Sequence, residues 1–226
     1  MSPANIVAEA SRKQLDIIGI TDHNSTRHCS LVGKLAGNMG IFVMQGAEVT
    51  TREEVHCLAF FETIDALKHF QEFLDLNIPD VQNDPLIFGD QVVVDENEKI
   101  IYTEDRLLSN ATMIPLEKLQ LFVHENNGIL IPAHIDRMKN SLYSQLGFLP
   151  EDLKADALEV SRRSSPVKFA MIHPEISLFP LVTNSDSHFP DQIGSVFNTL
   201  RLAEATFKEI KMALEGKDGR RIISPC

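Results

Sequence analysis

The 226-residue chain has no tryptophan, two tyrosines and three cysteines (Cys29, Cys57 and Cys226), none in a Cys-x-x-Cys spacing. Cysteines this few and this scattered exclude a disulfide framework and fit a reducing compartment. No apolar run approaches the roughly 18 residues that a membrane-spanning helix needs, and the N-terminus has no signal-peptide core. A soluble, cytoplasmic protein without membrane contact is therefore expected. There is no Gly-x-Ser-x-Gly elbow, no P-loop and no dinucleotide fingerprint, so nucleotide-cofactor chemistry has no support. Positive charge is also scarce: 21 Lys and Arg against 32 Asp and Glu leave a formal net charge of −11. Bulk charge of that sign argues against a nucleic-acid backbone as partner, although a local cation cluster can still make an anion site on an acidic surface.

What the chain does have is 43% hydrophobic residues, enough for one sizeable core, and one domain over 1–226 is the default. Short apolar runs at 15–21, 41–44, 55–61, 129–132, 157–161, 180–183 and 197–202 read as strands. Most alternate with helical patterns: one opened by Ser2-Pro3, one over 26–35, one capped by Thr63, one opened by Pro115 and one over 206–214. Alternation of this kind predicts parallel βαβ units. Residues 77–112 break the rhythm, with a small β-hairpin of 91–94 and 100–102 inside what reads as an insertion. Polar residues follow many strands instead of gathering at one crevice, so a barrel fits better than an open sheet.

The chemistry-bearing residues recur just past the apolar strands. His23, Glu48, His134, Asp186 and His188 each follow one, and His56 lies inside another. If the strands run parallel, their carboxyl ends bring these six to one face. A His/Asp/Glu set without cysteine suits Zn, Mn or Fe. Such clusters generate a metal-bound hydroxide and stabilise charge on a phosphoryl group. Any one of these histidines alone reads as a capping, surface or core residue, and only the set makes a metal site. Asp22 and Asp136 either orient neighbouring histidines or cap the following turns. Arg137 and Arg162 sit at the same end and suit phosphate contacts, with plain solvation as the alternative; Arg163 reads as solvated. His28, His69, His124 and His173 read as structural.

Ile20-Thr21-Asp22-His23-Asn24, Gly46-Ala47-Glu48, Val55-His56, Pro132-Ala133-His134 and Asn184-Ser185-Asp186-Ser187-His188 resemble, in order, successive motifs of the polymerase and histidinol phosphatase (PHP) superfamily. The resemblance implies a distorted (β/α)7 barrel with up to three divalent metal ions in a cleft, and phosphoester hydrolysis in which Asp22, Glu48 and Asp186 take part. Glu48 would bridge two ions, His56 and His134 completing one site and Asp186 serving the other; His23 and His188 would bind a third. The compact chain looks more like the stand-alone phosphoesterases than the polymerase modules, so the expected partner is a small phosphorylated substrate.

One departure is plain. The family's first motif is a His-x-His pair at the end of its first strand, and this chain has no His-x-His. It opens instead on the helix that would follow. The expectation is an N-terminally truncated form lacking the first strand and up to three ligands, with one or two ions left. The Glu48, His56 and His134 site stays whole, the Asp186 site is weak, and exposed strand edges invite a homo-oligomer. The competing reading is a catalytically silent metal-binding domain with a structural or regulatory role, and a C–N bond hydrolase is a more distant one.

Overall fold

A computed structural model describes residues 1–225; Cys226 lies outside them. Helix α1 (Pro3–Arg12) starts where the Ser2 side chain accepts from the Asn5 N–H, and it buries Val7 and Ala10. The order continues β1 (Ile17–Ile20), α2 (Cys29–Gly37), β2 (Phe42–Thr50), β3 (His56–Phe61), α3 (Ile64–Asp75), α4 (Pro85–Phe88), β4 (Val92–Val94), β5 (Ile100–Thr103), α5 (Leu116–Glu125), β6 (Ile129–Pro132), α6 (Leu142–Leu146), β7 (Leu158–Glu159), α7 (Pro166–Ile172), β8 (Leu181–Val182), β9 (Asn198–Arg201), α8 (Phe207–Leu214) and β10 (Arg221–Pro225).

The central sheet runs β1-β2-β3-β6. Strands β1 and β2 pair in parallel, but β3 runs antiparallel to both β2 and β6. This corrects the expectation of uniformly parallel βαβ units. Only five residues, 51–55, join β2 to β3, and a parallel crossover needs a dozen or more. Backbone bonds from the Asp156 N–H to the Leu130 carbonyl (2.9 Å) and from the Ile135 N–H to the Glu159 carbonyl (2.8 Å) tie the end of β6 to β7. Strand β7 in turn pairs in parallel with β8. Among the described residues no sheet closes on itself, and β1 is an edge. The fold is mixed α/β.

Strand β3 is buried along its whole length, and its side chains divide by alternation. Cys57, Ala59 and Phe61 join the cluster under α1, α2, α3 and α5. Leu58 and Phe60 join the cluster that contains Phe207, Ile210 and Leu214 of α8. Gly46 of β2 is fixed by this layering, since a Cβ there would lie 2.0 Å from the Ala59 carbonyl oxygen. Burying one leucine in such a layer contributes about 2 kcal/mol.

The stretch 197–202 is a second correction: it forms β9, which pairs antiparallel with β10 outside the central sheet. The 77–112 region contains the expected hairpin, β4 with β5. It is tethered to the turn after β1. The Asn24 amide donates to the Leu108 and Asn110 carbonyls at 2.7 and 2.9 Å, and the Arg27 guanidinium lies 4.5 Å from the centre of the Tyr102 ring. Cys29 and Cys57 are buried free thiols. No helix among the described residues is long and apolar enough to cross a membrane.

Candidate metal centre

Strand direction decides what meets at the open end of the central sheet. Glu48 lies in the last part of β2, and β1 extends past its own end in a parallel bridge that sets His23 beside Glu48. Because β3 is antiparallel, its first residue, His56, arrives at the same end. His134 follows β6 by two residues. These elements put three imidazoles around one carboxylate.

Glu48 Oε1 lies 3.0 Å from His56 Nδ1 and 3.3 Å from His134 Nε2, and those two nitrogens are 3.2 Å apart. The other oxygen, Oε2, lies 3.4 Å from His23 Nδ1, a distance of ion pairing without hydrogen-bond alignment, so this nitrogen is left without a partner. His134 Nδ1 is buried and equally without one. Ligand atoms at tetrahedral positions about 2.1 Å from a divalent ion stand roughly 3.4 Å from one another. The triangle of Glu48 Oε1, His56 Nδ1 and His134 Nε2 is thus close to the size an ion requires. The donor atoms of His23, Glu48 and His56 likewise lie within 4.8 Å of one another.

Electrostatics fit the same use. Burial alone would push the Glu48 carboxyl up, but hydrogen bonds to His134 and His56 and the charges of His56 and His23 outweigh it and hold the group well below the usual range. Burial, helped by the neighbouring His56 and His188, lowers His23 against the pull of Glu48 and Asp186. A charged carboxylate beside a neutral imidazole is the protonation state an ion needs. His134 also sits at φ 34°, in the left-handed region that non-glycine residues seldom occupy.

The remaining sequence-derived residues fall elsewhere. Asp186, at φ 45°, is taken by Arg137, whose Nη2 lies 2.6 Å from Asp186 Oδ2. His188 is exposed at the rim, its ring 6.3 Å from that of His23, with its Nδ1 3.8 Å from Asp186 Oδ1. Asp22 turns its carboxylate to His28 Nδ1 at 3.2 Å, away from the imidazole cluster. Only its backbone carbonyl, which accepts from the Glu48 N–H at 3.1 Å, touches a cluster residue. Asp136 accepts from the Ser161 N–H and hydroxyl at 2.6 and 2.7 Å, so it caps the end of β7 and orients no histidine. Arg162 donates to the Ser195 hydroxyl at 3.2 Å.

Two residues that sequence reasoning passed over stand close by. The Asn140 amide lies 2.9 Å from His56 Nε2, and its carbonyl accepts from the His56 N–H at 2.9 Å. Glu159, in β7, is 2% exposed. Its carboxyl is pushed up to about 8, first by burial and then by the charges of Glu48 and Asp186, against a hydrogen bond from Asn184 and the charge of Arg137. A single glutamate flanked by Leu158 and Val160 in an apolar run was the signal for it.

No family model matches the chain. A curated relative, the uncharacterized protein YqxK of Bacillus subtilis (strain 168), is 25% identical over 243 residues, covering 97% of this chain and 56% of the relative. Among solved structures, the lesion-specific endonuclease PfuEndoQ of Pyrococcus furiosus superposes with a TM-score of 0.71 at 22% identity, over 97% of this chain and 52% of that one. Endonuclease Q in complex with a 27-mer duplex substrate, an abasic lesion at its active site, gives 0.70 at 23%, over 96% and 52%. An amidohydrolase of Chromobacterium violaceum with bound sulfate and no metal gives 0.54 at 18%, over 86% and 85%. The chain therefore spans about half the length of YqxK and of endonuclease Q. The shared fold is what these solved structures, all under 25% identical to the chain, show.

It also overturns one expectation. Net negative charge argues against nucleic acid and the compact chain argues for a small phosphorylated substrate, yet endonuclease Q, about half of which shares this fold, binds a duplex substrate with an abasic lesion at its active site. Net charge is a long-range quantity, screened beyond about 8 Å at physiological ionic strength. Recognition of a backbone phosphate is decided by the cations within that distance.

Proposed function

We propose that this chain is the metal-binding part of a metal-dependent phosphodiesterase that cleaves nucleic acid, folded as a distorted PHP-type barrel over 1–226 and interrupted by an insertion at 77–112. The carrying observation is the triangle of Glu48 Oε1, His56 Nδ1 and His134 Nε2, with edges of 3.0, 3.3 and 3.2 Å. The fold shared with endonuclease Q supports a polynucleotide as the substrate class.

In this reading Glu48, His56 and His134 hold one divalent ion, and His23 stands ready on the second oxygen of Glu48. Zn, Mn and Fe all suit the donors. When bound, the ion supplies Lewis-acid polarisation of a phosphoryl oxygen and lowers the pKa of water. The residues of the chain do the rest. Asn140 holds the His56 ring in place, the pairing of β2 with β3 sets Glu48 diagonally across from it (Thr50 pairs with His56, Glu48 with Leu58), and Arg137 meets phosphate charge beside the cluster. His188, at the exposed rim, faces the approaching strand.

The test is metal analysis of the purified chain by elemental mass spectrometry, together with incubation on a duplex carrying an abasic site and on an undamaged duplex, with Mn or Zn supplied. The expected result is bound metal and strand cleavage, both lost in His56→Ala. A chain that binds no ion under any loading condition, or cleavage unchanged in His56→Ala, would sink the reading.

A further inference from the structure

Three imidazoles surround Glu48, and they are not held alike. The His56 ring is met at both nitrogens, by Glu48 Oε1 at 3.0 Å and by the Asn140 amide at 2.9 Å. The His23 ring has no such hold: its Nδ1 is buried without a hydrogen-bond partner, 3.4 Å from Glu48 Oε2. Its aim rests on the main chain that carries it, and that main chain is clamped on both sides. The Glu48 N–H donates to the Asp22 carbonyl at 3.1 Å, and the Asn24 N–H donates to the Glu48 carbonyl at 2.9 Å.

Asn24 closes the clamp. It is 1% exposed and sits at φ 48°, a left-handed conformation that asparagine adopts more readily than most residues. Its side-chain oxygen accepts from the Thr50 N–H at 3.0 Å, further along β2. Its amide nitrogen donates to the Leu108 and Asn110 carbonyls at 2.7 and 2.9 Å, so both amide protons are used. The Thr112 N–H and hydroxyl in turn donate to the Thr50 carbonyl at 2.8 and 2.9 Å. One buried side chain thus joins the turn that carries His23, the strand that carries Glu48 and the returning end of the 77–112 insertion.

We propose that Asn24 is a positioning residue of this centre: its three side-chain hydrogen bonds hold His23 aimed at the second oxygen of Glu48, so that the 77–112 insertion takes part in ion binding without supplying a ligand. This rests on the metal reading above and goes beyond it, because the grip on the ion then depends on a side chain whose polar atoms are all spent on main-chain groups. Partners of this outer kind tune a site by orienting its ligands.

The experiment uses the full chain and Zn(II), with affinity read by competition against a chromophoric chelator. Wild type, Asn24→Gly, His23→Ala and the double variant form a cycle. Glycine accepts the positive φ, so the substitution removes the side chain without straining the backbone. Asn24→Gly should bind Zn(II) about 10- to 100-fold more weakly than wild type, the usual cost of losing an outer partner. In the His23→Ala background the same change should matter less than about twofold, because the ring it positions is gone. A merely structural role gives the same loss in both backgrounds and overturns the proposal. So does Zn(II) affinity unchanged in Asn24→Gly or in His23→Ala. If Asn24→Gly does not fold by circular dichroism, Asn24→Asp takes its place in the cycle and is read by the same two comparisons; it tolerates the positive φ and keeps the acceptor for Thr50 but loses both donors. No ion in the wild type, or Glu48→Gln binding as well as wild type, is instead the failure of the metal reading itself.

Discussion

Glu48 and Glu159 are both buried strand residues, close enough for the charge of one to shift the other. Their environments drive them to opposite protonation states. Glu48 has two imidazole nitrogens bonding at one oxygen and the charge of a third imidazole beside the other, and together these outweigh desolvation. Glu159 has one amide hydrogen bond and a more distant guanidinium, and desolvation wins. Burial alone thus decides nothing about a carboxyl; the number and alignment of donors around it does.

The largest break in this comparison comes from Glu48→Gln. Removing the charge at the hub of three imidazoles should weaken divalent-ion binding by at least about 100-fold, more than the 10- to 100-fold typical of losing an outer partner, as read by dialysis against a chromophoric chelator. Next is Asn24→Ala. The Asn24 side chain makes three hydrogen bonds, one accepted from the Thr50 N–H and two donated to the 77–112 region. Its loss should cost about 2–3 kcal/mol and lower the Tm by roughly 4–12 °C. A shift under 1 °C would mean that the tether contributes nothing.

Glu159 gives a pH signature. Its folded pKa is raised, so its contribution to stability is complete below the ordinary 4.5 and is lost as the pH climbs towards about 8. Glu48, depressed, contributes above 4.5 and loses that contribution as the pH falls. In metal-free protein, Glu159→Gln should therefore become progressively more stable relative to wild type between pH 4.5 and 8, with no further divergence above that window. Parallel curves would show Glu159 to be ionised in the folded state. The smallest effect is expected of Asp22→Asn, a half-exposed partner of His28. Stability should change by about 0–1 kcal/mol and ion affinity by less than about twofold, since the carboxylate faces away from the cluster.

Much of this centre was legible because histidines and carboxylates recur as a set at the strands, though none is a strong signal alone, and His23, Glu48, His56 and His134 did converge. His56 looked anomalous only while every strand was taken as parallel. In the structure β2 runs on to Thr50, which leaves only five residues before β3, and in the resulting hairpin the start of one strand lies beside the end of the other. Helix α7 was missed in the sequence, although Ser165-Pro166 opens it and the Ser165 side chain accepts from the Lys168 N–H. What sequence could not give was the competition for Asp186: Arg137 lies 49 residues away along the chain, and which cation claims a carboxylate is settled in three dimensions. Glu159 was hidden for a similar reason, since a neutral glutamate in a strand looks like any interruption of an apolar run.

The hairpin of β2 and β3 also sets the order in which the centre can assemble as the chain folds. Glu48 and His56 are eight residues apart, and hairpins form in about 1–10 μs. His134 is 78 residues from His56 and must wait for β6 to find β3, a slower, non-local closure. Two of the three ligand atoms are therefore brought together locally, and the third arrives with the tertiary fold. An ion met during refolding would encounter a half-built chelate first, so refolding with and without metal should differ in rate chiefly at the step that docks β6.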